Sequence, residues 1–186
     1  MTSSDPTDIT LLQGFVNTAN LEDETDEIST VTALQAWLRA AGVLHGTRRL
    51  TQRDHARAID VREALRDLIG VNIGEPLSAE ARGRLDDAAT RAALHVRFCS
   101  DGSTAIEPSA SGLDGALGRI LVAAHRSMAH GTWAQLKLCN RGCCRWAFYD
   151  TSKNQSKRWC SMEVCGNRSK GEAFRHRHKT PPTSTG

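Results

Sequence analysis

The 186 residues hold no apolar run approaching the roughly 20 needed to cross a bilayer. They begin Met1-Thr-Ser-Ser-Asp-Pro-Thr-Asp, which is acidic and lacks the apolar stretch of a secretory leader. A membrane protein is therefore not expected, and a cytoplasmic one is. Catalytic signatures are also missing. There is no His-Glu-x-x-His motif, and no Gly-rich phosphate loop follows a strand. His45, His55, His95, His125 and His130 are scattered singly, and Asp60 with Glu63 reads as a solvated helix face. These absences argue against an enzyme. No internal repeat is present, which excludes a solenoid. Aromatic residues make up only 5% of the chain, yet Trp146, Phe148, Tyr149 and Trp159 fall close together.

That aromatic cluster lies among four cysteines. Cys139/Cys144 and Cys160/Cys165 are two pairs with four residues inside each and fifteen between them. Paired cysteines in a reducing compartment favour metal over disulfide. Each pair can clip two thiolates onto one side of a Zn²⁺ ion, and two clips close a tetrahedron. Four thiolates leave no open position, so the expected role is structural, with one zinc per chain. Cys143 can replace Cys144 in the first clip. Cys144 is preferred because it stands directly before Arg145-Trp146-Ala147-Phe148 and gives both clips the same spacing. His176 and His178 are weaker alternative ligands, and Cys99 reads as a small buried hydrophobe. The spacer suits a β-hairpin, Trp146 to Asp150 out and Lys157 to Trp159 back. A module of this size cannot fold on its own core. Zinc would supply the deficit, about 10–16 kcal/mol in comparable modules. The aromatics read as a mini-core beside the metal, or else as a platform for stacking bases.

The net charge of +3 conceals an asymmetry. Lys137 to Lys179 holds eleven Lys/Arg against three Asp/Glu, a net of +8, which leaves −5 for the remainder. A basic module on an acidic body points to a polyanion. After Cys165, Gly166 allows a tight turn, Asn167 can cap, and Arg168 to Lys179 reads as a basic helix with Phe174 turned back to the metal. Two ligands at a helix start, after a hairpin, give a treble-clef-like arrangement. Expected nucleic-acid contacts are Lys157, Arg158, Arg168, Lys170, Arg175, Arg177 and Lys179, with duplex DNA favoured.

Upstream, helical stripes cover residues 9–19, a stretch capped by Thr30 and ended at Gly42, Thr51 to Ile69, a stretch capped by Ser78, and Leu113 to Met128. Glu22 to Glu27 reads as an acidic linker, and Arg53, Arg57, Arg62, Glu63, Arg66 and Asp67 as the solvated face of their helix. Leu94–Phe98 and Thr104–Glu107 alternate like a hairpin. The expected fold is mostly α with a small β-hairpin, organised as a helical body (9–131) and a zinc module (136–179). Residues 1–8 and 180–186 read as disordered. The body would sense a signal or form a homodimer.

Residues 139–168 resemble the CGNR zinc finger, named for the tetrapeptide that here is Cys165-Gly166-Asn167-Arg168. Phe148, Asp150-Thr151-Ser152, Arg158-Trp159-Cys160 and Met162 share in the match. Phe15-Val16-Asn17-Thr18 and Leu34-x-x-Trp37-Leu38-x-x-Ala41-Gly42 resemble the helical domain that precedes such fingers, the ABATE domain of stress-induced transcription regulators. The resemblance implies a bacterial DNA-binding regulator. The same basic finger used on RNA or on a protein partner is the alternative. A redox switch with Cys143 as the resolving thiol is a third possibility.

Overall fold

A computed structural model describes residues 6–179. Six α-helices and three two-stranded antiparallel sheets follow in the order α1 (Pro6–Val16), β1 (Ala19–Asn20), β2 (Thr25–Asp26), α2 (Val31–Ala40), α3 (Gln52–Gly70), α4 (Ala79–Ala92), β3 (Leu94–Phe98), β4 (Thr104–Pro108), α5 (Gly112–Ala129), β5 (Leu136–Leu138), β6 (Ala147–Tyr149) and α6 (Asn167–Lys179). The fold is mostly α, with a small zinc module at its C-terminal end. Among the described residues, no helix is long and apolar enough to cross a membrane.

The helix starts are set by local chemistry. Thr30 and Ser78 accept hydrogen bonds from the N–H groups of Ala33 and Ala81, and Thr51 forms a reciprocal capping box with Asp54. α1 begins earlier than its apolar stripe suggests. Pro6 opens it, where a missing N–H costs nothing. Asp8, expected in a disordered segment, is 4% exposed and is held by Arg126 of α5. Residues 1–5 and 180–186 lie outside the described residues. Glu22–Glu27 is no linker either: β1 and β2 pair there as a minimal hairpin, with Asp26 held by Arg62.

β3 and β4 form the expected hairpin, in register from Leu94 opposite Pro108 to Phe98 opposite Thr104. Cys99 follows β3 and is only half-buried. The hairpin lies tightly on α5 at Gly118, where a Cβ would come within 2.8 Å of the Pro108 Cβ and 2.7 Å of the Ala92 Cβ.

The larger of two apolar clusters among the described residues runs from α1 to β6. Leu12, Phe15, Leu34, Leu38, Leu65 and Ile120 are fully buried in it, and so are Leu136, Leu138 and Ala147 of β5 and β6. The strand pair that carries the first clip therefore packs as part of the helical body. The hairpin expected inside the zinc module is different from the one observed. β6 pairs backwards with β5, Leu136 opposite Tyr149, whereas Lys157 to Trp159 forms no strand. The return segment is held instead by Asp150, which accepts from the Lys157 N–H at 2.9 Å, and by the Asn140 N–H donating to the Arg158 carbonyl at 2.8 Å.

Candidate metal centre and nucleic-acid interface

β5 ends one residue before Cys139, and the Cys139 N–H donates to the Trp146 carbonyl at 2.9 Å. The segment between them is thus a closed knuckle. The Cys144 N–H donates to the Arg141 carbonyl at 2.9 Å, and Arg145 adopts φ +44°, which turns the chain sharply back into β6. The second clip enters α6 through a π-type turn, Met162–Gly166, capped by the Ser161 side chain. Asn167 does not cap. It lies within the helical stretch, and its amide donates to the Glu163 carbonyl at 3.0 Å. A Cβ on Gly166 would come within 2.7 Å of the Met162 sulfur, so the half-exposed Met162 side chain would have to swing aside.

These turns bring the sulfurs of Cys139, Cys144, Cys160 and Cys165 within 4.8 Å of one another. A tetrahedral zinc with Zn–S bonds of about 2.3 Å puts neighbouring sulfurs about 3.8 Å apart. The Cys144–Cys160 and Cys160–Cys165 separations are 3.8 and 3.7 Å. The donor set fits one structural zinc ion. Cys143 is exposed and outside the group, so Cys144 completes the first clip. Without a cation, burial pushes the Cys144 thiol up to about 12 and raises Cys160 as well. Cys139 lies below its ordinary value: burial raises it, but backbone N–H groups at Cys160 and Arg141, together with the neighbouring Cys160 and Cys165 side chains, outweigh that. A divalent cation removes the conflict by holding all four as thiolates.

Trp146, Trp159 and Cys160, each half-buried, pack around the buried cysteines. Phe148 is buried and Tyr149 half-buried against the main core. Trp146 and Trp159 are therefore a mini-core beside the cysteines, whereas Tyr149 belongs to the main core. The Arg158 guanidinium lies 5.7 Å from the centre of the Trp159 ring.

Several polar joints tie this module to the body, among them an Arg145–Glu75 pair at 2.8 and 2.9 Å. The Asn17 amide donates to the Ala147 carbonyl and accepts from the Ala147 N–H, both at 2.8 Å, as a strand partner would. Arg66, 2% exposed, donates to the carbonyls of Arg145 and Val16 at 3.1 and 2.6 Å. Arg62 is 4% exposed as well, so neither arginine belongs to a solvated face as expected. Inside the module, Asp150 is fully buried. Burial alone would raise its carboxyl, but hydrogen bonds from Ser152, Lys137 and Lys157 hold it well below the usual carboxylate range.

The expected contact cations divide into groups. Lys157, Arg158, Lys170 and Arg175 are exposed. Arg168 is also exposed, but it pairs with Glu22 from the β1–β2 turn. Arg141 pairs with the same Glu22 at 2.6 Å and reaches Glu172 on α6 at 3.5 Å. The side chains of Phe174, His176, Arg177, His178 and Lys179 lie outside the described ones. Sequence reasoning missed Asn17, Arg66, Arg141 and Glu22. Asn17 had a signal in the Phe15-Val16-Asn17-Thr18 segment. The others had none beyond their charge.

The profile of the ABATE family, described as "putative stress-induced transcription regulator", matches residues 11–131, and that of the CGNR zinc finger matches residues 135–178. A comparison with curated proteins finds no match.

Proposed function

The chain belongs to the ABATE family, described as "putative stress-induced transcription regulator", and ends in a CGNR zinc finger, and from that premise we propose that it is a zinc-dependent regulator that binds duplex DNA in the bacterial cytoplasm. The observation that carries the reading is the exposure of Lys157, Arg158, Lys170 and Arg175 on elements built directly onto the metal clips. α6 starts two residues after Cys165, so the zinc fixes where its cations stand. A basic helix so presented suits phosphates and a major groove. The half-buried or buried state of Trp146, Phe148, Tyr149 and Trp159 speaks against base stacking on single strands. The helical body, net acidic, is the sensing or dimerising half and does not bind nucleic acid alone.

One observation favours a protein partner. Met162 and Val164, at the base of α6, are 50% and 45% exposed. Selection of bound sequences from random duplex and single-stranded pools decides between the readings. Enrichment of a duplex motif is expected. Enrichment only from the single-stranded pool, or none at all, counts against duplex DNA.

A further inference from the structure

A cleft of about 510 Å³ opens on the face of the body where α1, α5 and the β3–β4 hairpin meet. Its size lies within the roughly 300–1,000 Å³ typical of small-molecule sites. Leu11 of α1, Val43 after α2, Ile106 of β4 and Val122 of α5 give it apolar walls. Four charged side chains face it: Asp8, Glu107, Arg119 and Arg126. Three of them are neutralised. Asp8 pairs with Arg126, the Arg126 Nε donating at 2.8 Å. Glu107 takes a two-pronged bond from Arg97 at 2.7 and 2.9 Å.

Arg119 is the remainder. It is half-buried, donates to the Val43 carbonyl at 3.1 Å, and has no carboxylate within ion-pair distance among the described residues. Glu107 acts on it only at a distance and is already held by Arg97. A half-buried guanidinium with no direct ion pair, next to apolar side chains, is an anion site with a hydrophobic neighbour. Its planar fork suits a carboxylate.

We propose that this cleft binds a small amphiphilic monocarboxylate, its carboxylate on Arg119 and its apolar body against Leu11, Val43, Ile106 and Val122. A regulatory role for the site rests on the reading of the protein as a DNA-binding regulator. The fold offers a route for it. α1 carries Asp8 and Leu11 into the cleft, and Asn17, just past its end, holds Ala147 of the finger. Asp8 and Asn17 lie about 14 Å apart along the axis of α1.

Calorimetric titration of the zinc-loaded full chain with decanoate and with decanol tests the site without DNA. One decanoate per chain is expected, with decanol weaker by about tenfold or more, the loss of one charge-assisted contact. Arg119→Gln should bring the two probes to similar affinity, Arg119→Lys should keep part of the preference, and Ile106→Trp should block both by filling the cleft. Zinc content and melting temperature check that each variant is folded. No decanoate binding, equal affinity for both probes, or indifference to Arg119→Gln overturns the proposal. If decanoate binds as expected and duplex DNA does not, the site stands and the DNA-binding reading falls.

Discussion

Replacing Asn17 with alanine should loosen the zinc finger from the helical body. Asn17 is 8% exposed, and its amide makes two 2.8 Å bonds to the backbone of Ala147, itself fully buried. The substitution leaves a buried N–H and a buried carbonyl without these partners. Each such loss costs about 1–3 kcal/mol, so about 2–6 kcal/mol is at stake. For a chain of this size, a kcal/mol moves the melting temperature by about 2–4 °C, which predicts a fall of about 4–24 °C. Ala147 follows Trp146, whose carbonyl closes the knuckle on Cys139, so the metal should also leave faster. Circular dichroism melting and the rate of zinc transfer to a chromogenic chelator measure the two effects. An unchanged melting temperature would refute the reasoning. A lower one with zinc release unaltered would show that this pair does not couple body to metal.

Cys144→Ser should lose zinc or bind it far more weakly, whereas Cys143→Ser should keep a full equivalent by elemental analysis; the reverse result would reassign the first clip. Asp150→Ala leaves the Lys137 ammonium, 8% exposed, without its counter-charge and with only the Gln155 carbonyl as a partner, and should cost about 3–5 kcal/mol in equilibrium denaturation. Lys137→Met should cost less, because Asp150 keeps its bonds from Ser152 and the Lys157 N–H. Glu22→Gln frees Arg168 from a competing carboxylate and should raise duplex DNA affinity in anisotropy titrations by a factor of about two to five. A fall in affinity would mean that Glu22 positions α6 rather than competing with DNA.

The legible parts of this chain were those whose determinants are local. Thr30, Thr51 and Ser78 announce α2, α3 and α4, because a cap needs only the next three residues. The clip spacing announced the metal site, and equal spacing selected Cys144 over Cys143 in agreement with the sulfur geometry. Contacts made at long range were not legible. Leu136-Lys-Leu138 is too short for an alternating pattern, and its pairing with β6 is imposed by the knuckle between them. The spacer that resembled a hairpin is instead folded by a single buried carboxylate, Asp150. Arg62 and Arg66 sit on α3 among other charges, so they read as solvated. Besides the neighbouring Glu63, their acceptors are Asp26 and the carbonyls of Val16, Ala19 and Arg145, all distant in sequence. The acidic run at Glu22 concealed a hairpin because its role lies in what Glu22 touches, Arg141 and Arg168.

The most direct test of the central claim is the salt dependence of duplex DNA binding by the zinc-loaded chain. If four to six phosphates are neutralised, log K should fall against log salt with a slope of roughly −4 to −5. Chelation of the zinc, or the combined Arg168→Ala, Arg175→Ala and Arg177→Ala substitutions, should abolish binding or flatten that slope. Affinity indifferent to salt, or unchanged in the triple variant, would contradict the account and leave the finger as a surface for a protein partner.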